Sequence, residues 1–146
     1  MQIRECMSGD VTIASPEMSL QEAARIMREK DTGFLPVGEN DRLVGSLTDR
    51  DITVRAVCEG KDPSATKVRD AMSQHIVYCF DDQDISDAAR LMAEKQIRRL
   101  AILNHDKRLV GVLSLGDITE RAHDDRAAEQ ALEGVSHHSG KPRNVQ

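Results

Sequence analysis

Leu20, Ala23, Ala24 and Met27 recur at the i, i+3, i+4, i+7 spacing of one helical face. Ser19-Leu-Gln-Glu22 reads as a capping box at its start, and the pattern predicts a helix of about three turns running to Lys30. The period then changes. Two short apolar runs, Phe34-Leu-Pro-Val37 and Leu43-Val-Gly-Ser-Leu47, flank the turn residues Gly38-Glu-Asn-Asp41 and predict a β-hairpin. A second helix starts at Thr48 and stops before Gly60, a residue suited to the position just past a helix end. A weaker strand signal, Val11-Thr-Ile13, precedes the first helix.

The same succession returns later in the chain. Ile3–Ala56 aligns with Val68–Ala122 at an offset of 65 as far as Asp41 and 66 thereafter, Lys107 being the inserted residue; 21 of the 54 aligned pairs are identical. In the second copy Ile76–Phe80 is the leading strand, Asp84 caps a helix buried through Ile85, Ala88, Ala89 and Met92, and Leu100–Leu103 and Leu109–Leu113 form the hairpin around Asn104-His-Asp106. The chain therefore divides into repeat 1 (residues 3–60), a polar linker (61–67) that overlaps the turn-rich stretch Glu59–Ser64, repeat 2 (68–123) and an extension (124–146). That extension predicts a short helix over 124–133 and a frayed, partly disordered tail, because it offers little to bury.

Composition narrows the chemistry. Tyr78, Phe34 and Phe80 are the only aromatic residues, so the core must be built from Leu, Ile, Val, Met and Ala. With 20 Lys and Arg against 25 Asp and Glu the formal charge is −5, and no basic run forms a phosphate-neutralising patch, which argues against nucleic acid. No apolar stretch approaches the ~20 residues that span a bilayer and MQIRECMSGD lacks a signal-peptide core, so the expectation is a soluble cytoplasmic protein without a membrane partner. Cys6, Cys58 and Cys79 form no C-x-x-C pair and read as reduced thiols.

The duplicated order of strand, helix, strand, strand, helix ends each time in Gly-x-x-Thr/Ser-x-x-Asp: Gly45-Ser-Leu-Thr48-Asp-Arg-Asp51 and Gly111-Val-Leu-Ser114-Leu-Gly-Asp117. With Leu35-Pro36-Val37 in the hairpin, residues 3–122 resemble a tandem CBS-domain pair, or Bateman module, and especially the small stand-alone bacterial two-repeat proteins of the hypoxic-response type. The resemblance implies an α+β fold of two β-α-β-β-α repeats about a pseudo-twofold axis. It also implies a non-catalytic sensor, commonly dimeric, with an adenine nucleotide or another adenosyl ligand in its clefts. AMP, ADP, ATP, NAD(H) and S-adenosylmethionine are all compatible with it, and no further cofactor is required.

Thr48-x-x-Asp51 and Ser114-x-x-Asp117 each have a purely structural explanation, since a hydroxyl at the cap and a carboxylate three residues on form a capping box. Their repetition straight after a Gly-containing strand is what a ligand site would also require. By resemblance, Asp51 and Asp117 would hold ribose and Thr48 and Ser114 phosphate. The adenine edge would meet the backbone at Ile13, Leu35 (beside Pro36), Tyr78 and Leu100. Arg50, Arg98 and Arg99 are the cations placed to compensate phosphate on an acidic chain. The copies differ: Gly116 stands where copy one has Arg50, Ala101 where it has Pro36, and Phe34 where copy two has Arg99. One site using Arg50 and Arg99 together is therefore as compatible as two.

Three rivals use the same letters. Thr48 followed by Asp49-Arg-Asp51-Ile-Thr53 superficially matches a phosphatase nucleophile motif, but Leu115 replaces Asp49 in copy two. His75, His105, His123, His137 and His138 lack metal-ligand spacing apart from the adjacent pair in the tail, so no metal site is expected. The third is a ligand-free dimeric interaction module acting through its surface or C-terminal tail.

Overall fold

A computed structural model describes residues 1–121 and 131–134. The elements are α1 (Leu20–Lys30), β1 (Phe34–Glu39), β2 (Arg42–Thr48), α2 (Asp49–Ile52), β3 (Tyr78–Phe80), α3 (Ile85–Lys95), β4 (Arg99–Leu103), β5 (Leu109–Ser114) and α4 (Leu115–Arg121). They fall into two compact units. One comprises Thr12–Ile76 with Lys107–Leu109; the other comprises Met1–Val11, Val77–Asp106 and, among the described residues that follow, 110–121 and 131–134.

In the first of these, α1 begins where the apolar period begins. Ser19 Oγ accepts the Glu22 N–H at 3.1 Å, so the cap half of the expected box is made. The helix ends at Asp31, which takes the left-handed conformation (φ 51°) and donates its N–H to Arg28 and Met27. Leu20, Ala23 and Met27 are buried against Leu35, Val37, Leu47, Ala56, Val68 and Ala71. Ala24 is exposed, contrary to the predicted stripe: the buried face of α1 is narrower and carries Leu20, Ala23 and Met27.

β1 and β2 pair antiparallel from Phe34↔Thr48 to Glu39↔Arg42, with a bulge between Val37 and Gly38. Asn40 and Asp41 both have positive φ (55° and 63°), making a two-residue turn tighter than the predicted four. The predicted strand Val11–Ile13 is not formed. Ala14 alone bridges to Val37, donating its N–H to Pro36 O and accepting from Gly38 N–H, both at 2.9 Å, and Pro16 two residues on has no N–H to extend the ladder.

After β2 the chain enters α2 and widens into a π turn over Thr53–Val57, Cys58 N–H reaching Thr53 O at 2.9 Å, before Gly60 (φ 70°) ends the helix as predicted. The segment beyond the linker then turns into the same unit. Val68 and Ala71 join its core, and Ser73 exchanges backbone hydrogen bonds with Ser46 at 2.8 and 3.0 Å.

The other unit repeats this plan with a three-stranded sheet, in the order β3-β4-β5, in which β3 runs parallel to β4. Ile3 and Cys6 are fully buried in its core, with Cys79, Ile85, Ala88, Ala89, Met92, Leu100, Ile102, Leu113 and Ile118. Ser8 exchanges backbone bonds with Val112 at 3.0 and 3.1 Å. The compact units are therefore not the sequence repeats. Ile3–Ser8, the leading segment of repeat 1, completes the core of repeat 2, and Val68–Ser73 completes that of repeat 1.

Most of the expected helix over 124–133, and the tail beyond it, lie outside the described residues. Of the extension, 131–134 is helical; Ala131 is fully buried in the repeat 2 core and Gly134 lies directly against Ala93. That part has something to bury, against the expectation for this segment. It also matches the difference between Ala89, fully buried with Ala131 in one cluster, and its counterpart Ala24.

Candidate functional site

Each unit carries one hydroxyl–carboxylate box at the junction between the hairpin and the following helix. Thr48 Oγ1 accepts the Asp51 N–H at 3.0 Å while Asp51 Oδ2 accepts the Thr48 N–H at 2.9 Å. Ser114 and Asp117 make the same reciprocal pair, both bonds at 2.9 Å. All four side chains are half-buried, and each box leaves its hydroxyl proton and the second carboxylate oxygen without a partner among the described residues. A hydroxyl that can donate, beside a carboxylate oxygen that can accept two hydroxyls, is a chemical match for a sugar or a phosphoester.

The glycines of the motif allow the boxes to form where they do. A Cβ on Gly45 would stand 2.5 Å from Ser73 O, and one on Gly111 would stand 2.5 Å from Met7 Sδ and 2.9 Å from Ser8 O. Each leading segment thus lies against the second hairpin strand, close to the box. The repeated Met7-Ser8 and Met72-Ser73 were the only sequence signal of that contact.

Beside the Thr48 box, Phe34 pairs with Thr48 and Leu35 with Leu47; Leu35 and Pro36 are buried, so only their backbone is offered. Ile13 flanks the Ala14 bridge and is 45% exposed. Ala14 spends both backbone groups on β1, while Ile13 makes no backbone hydrogen bond among the described residues. Ile13 also lines a cavity of about 330 Å³ with Glu39, Asp41 and Arg42, at the turn end of the hairpin and so at the opposite end from Thr48. Arg50 is exposed and its guanidinium has no ion-pair partner among the described residues.

In the other unit Tyr78 pairs with Ala101, which sets it beside Leu100 at the free edge of the sheet. Arg98 and Arg99 lead into β4, and Arg98 O accepts the Leu115 N–H at 2.9 Å, fixing both arginines next to Ser114. Neither has an ion-pair partner among the described residues. Tyr78, Leu100, Arg98, Arg99, Ser114 and Asp117 therefore come together in one unit, and Leu35, Pro36, Thr48, Arg50 and Asp51 in the other, where the Ile13 side chain lies apart, toward the turn end of the hairpin.

Two features escaped the sequence reading, one beside the Thr48 box and one at the turn end of the second hairpin. Asp49 lies against Gly33: its N–H donates to Gly33 O at 3.0 Å, and a Cβ on Gly33 would meet Asp49 Oδ2 at 2.7 Å. Phe80 stacks on His105 with centroids 4.6 Å apart and meets Tyr78 edge to face, while His105 Nε2 lies 2.6 Å from Asp82, whose carboxyl is held below its ordinary pKa chiefly by that hydrogen bond. Both depend on strand pairing over 16 or more residues, which a local pattern does not reveal. Cys6 and Cys79 are buried, burial pushing the Cys79 thiol up to about 11, and Cys58 is exposed. Among the described residues no three His, Cys, Asp or Glu side chains stand close enough to share a metal ion, and no helix is long and apolar enough to cross a membrane.

Known proteins share this arrangement. The CBS-domain protein YhcV of Bacillus subtilis is 38% identical over 135 residues, covering 92% of this chain and 95% of that one. Hypoxic response protein 1 of Mycobacterium tuberculosis is 36% identical over 79% of this chain and 80% of its own length. A crystal structure of hypoxic response protein I with two coordinated zinc ions superposes with a TM-score of 0.75 at 35% identity, over 82% of this chain and 97% of that one. A CBS domain pair solved with 5′-methylthioadenosine and S-adenosyl-L-methionine shares the fold at 22% identity, TM-score 0.73, over 82% of this chain and 97% of that one. The CBS domain family itself matches residues 3–56 and 68–124, the two copies read from the sequence, and the chain belongs to that family as a tandem pair of CBS domains.

Proposed function

We propose that the chain is a non-catalytic regulatory module that binds an adenosyl ligand, an adenine nucleotide foremost, at its hydroxyl–carboxylate boxes. One observation carries the reading: the box is built twice in equivalent places, each time with a hydroxyl proton and a carboxylate oxygen uncommitted among the described residues. In this reading Asp51 and Asp117 accept from ribose hydroxyls, Thr48 and Ser114 donate to phosphate or the 5′ substituent, and the backbone at Ile13, Leu35, Tyr78 and Leu100 meets the base. The adenosyl ligands of the solved CBS pair support the ligand class. A catalytic role finds no support at the boxes, where the carboxylate is engaged with its own cap and no histidine stands among the candidate residues.

The module acts in this reading as a homodimer, for which exposed Ala24 on α1 and Val54 and Val57 beyond α2 (47% and 61% exposed) supply an apolar surface. A thermal-shift screen over AMP, ADP, ATP, NAD(H) and S-adenosylmethionine tests the ligand. A ligand at about 100 times its Kd adds roughly 2.7 kcal/mol to stability, and an Asp51→Ala/Asp117→Ala variant should lose that gain. If no member of the panel raises the midpoint, the ligand-free interaction module becomes the better account; a solution mass of one chain at micromolar concentration removes the dimer.

A further inference from the structure

We infer that the two boxes take adenosyl ligands of different charge: the Ser114–Asp117 box a ligand phosphorylated at the 5′ position, and the Thr48–Asp51 box one that carries no phosphate. The inference rests on the ligand-binding reading above and adds to it the ligand chemistry of each box.

The argument starts from an exchange of residues at two positions that touch each other. In repeat 1, Gly33 O accepts the Asp49 N–H at 3.0 Å; in repeat 2 the equivalent bond runs from Leu115 N–H to Arg98 O at 2.9 Å. The same backbone contact thus carries Gly and Asp in one unit, Arg and Leu in the other. The two positions are coupled, because a side chain at 33 would begin with a Cβ 2.7 Å from Asp49 Oδ2, and the exposed Asp49 carboxylate would have to turn away from it. In the other unit Leu115 turns onto the core, and no carboxylate opposes Arg98.

The neighbouring position deepens the contrast, with Phe34 in one unit and Arg99 in the other, each leading a strand beside its box. Around Ser114, Arg98 and Arg99 against Asp117 leave one net positive charge. Around Thr48, Asp49 and Asp51 against Arg50 leave one net negative charge. Arg98 and Arg99 also have no carboxylate partner among the described residues, so their donors are available to an incoming anion. A phosphate dianion placed at each hydroxyl would be attracted in one unit and repelled in the other. A charge difference of this size at a partly solvated site changes affinity by about tenfold or more, and salt reduces it.

The test is calorimetric titration of the full chain with AMP and with adenosine, in the wild type and in two variants that each disable one box, Asp51→Ala and Asp117→Ala. With only the Ser114 box intact (Asp51→Ala), AMP should bind about tenfold tighter than adenosine, and less so at high salt. With only the Thr48 box intact (Asp117→Ala), adenosine should bind at least as tightly as AMP. Leu115→Asp reads the same quantity with both boxes retained: it should weaken AMP about tenfold more than it weakens adenosine. Asp49→Leu should narrow the preference of the Thr48 box for adenosine over AMP. The same AMP-to-adenosine ratio in both single-box variants, or a ratio that Leu115→Asp does not move, overturns the inference while leaving ligand binding in place. Failure of the wild type to bind either compound overturns the ligand-binding reading and the inference with it.

Discussion

At the scale of single residues, the two motif glycines are set by what lies above them. Gly45 has the carbonyl of Ser73 where a Cβ would go, at 2.5 Å, and a carbonyl in a reciprocal backbone pair cannot move without breaking that pair. At Gly111 the nearest atom is the flexible Met7 thioether, with Ser8 O behind it at 2.9 Å. Gly45→Ala should therefore cost ~1–3 kcal/mol, the usual range for forced overpacking, and Gly111→Ala somewhat less. Gly116, between Ser114 and Asp117 in the sequence, is the control: its Cβ would find only Ser114 Oγ at 3.6 Å, and Gly116→Ala in α4 should be neutral or stabilise by up to about 1 kcal/mol. Urea unfolding midpoints of the three variants at constant slope check the order.

At the scale of elements, the helices that open the two repeats are capped by different chemistry, which gives one of them a pH dependence. Ser19 caps α1 through a hydroxyl, which does not titrate. Asp84 caps α3 through a carboxylate that accepts from Ser86 Oγ, from Ser86 N–H and from the terminal ammonium of Met1, and the Ser86 hydroxyl does most to hold its pKa down to about 2. The folded value lies below the ordinary 3.8, so this contribution is complete above about pH 4 and is lost as the pH falls towards 2. Ser86→Ala should return the Asp84 carboxyl towards its ordinary range, measured by carbon-detected NMR titration. An unchanged midpoint would mean that the Ser86 N–H and the ammonium, not the hydroxyl, set it. Caps, hairpins and both boxes were legible in the sequence because each is decided within about seven residues. The exposed Ala24 and the single bridge at Ala14 were not, since burial and pairing there depend on partners elsewhere in the chain. The contact of Gly33 with Asp49 was hidden for the same reason: it follows from the register of β1 on β2, which the bulge at Val37/Gly38 shifts.

At the scale of the whole molecule, the duplication that is plain in the sequence is not the division that folds. Ile3 and Cys6, from the first copy, are fully buried among residues of the second, and Ser8 makes a reciprocal backbone pair with Val112. Val68 and Ala71 do the same in the first copy. Repeat 2 expressed by itself, residues 68–146, would therefore carry a leading segment that has no place in its own core and lack the one that fills it. Removing a buried Ile alone costs ~2–5 kcal/mol, which approaches the whole stability of a small domain. The excised repeat should show little protection in amide hydrogen exchange and be cut readily by protease, whereas the full chain should be protected in β4 and β5. A peptide of residues 1–11 added to the excised repeat should restore protection at Val112 and Leu113 first, because these lie where the segment pairs. If the excised repeat proves as protected as the intact chain, Ile3–Ser8 is an accessory to that core rather than part of it, and the repeat read from the sequence is after all the unit that folds.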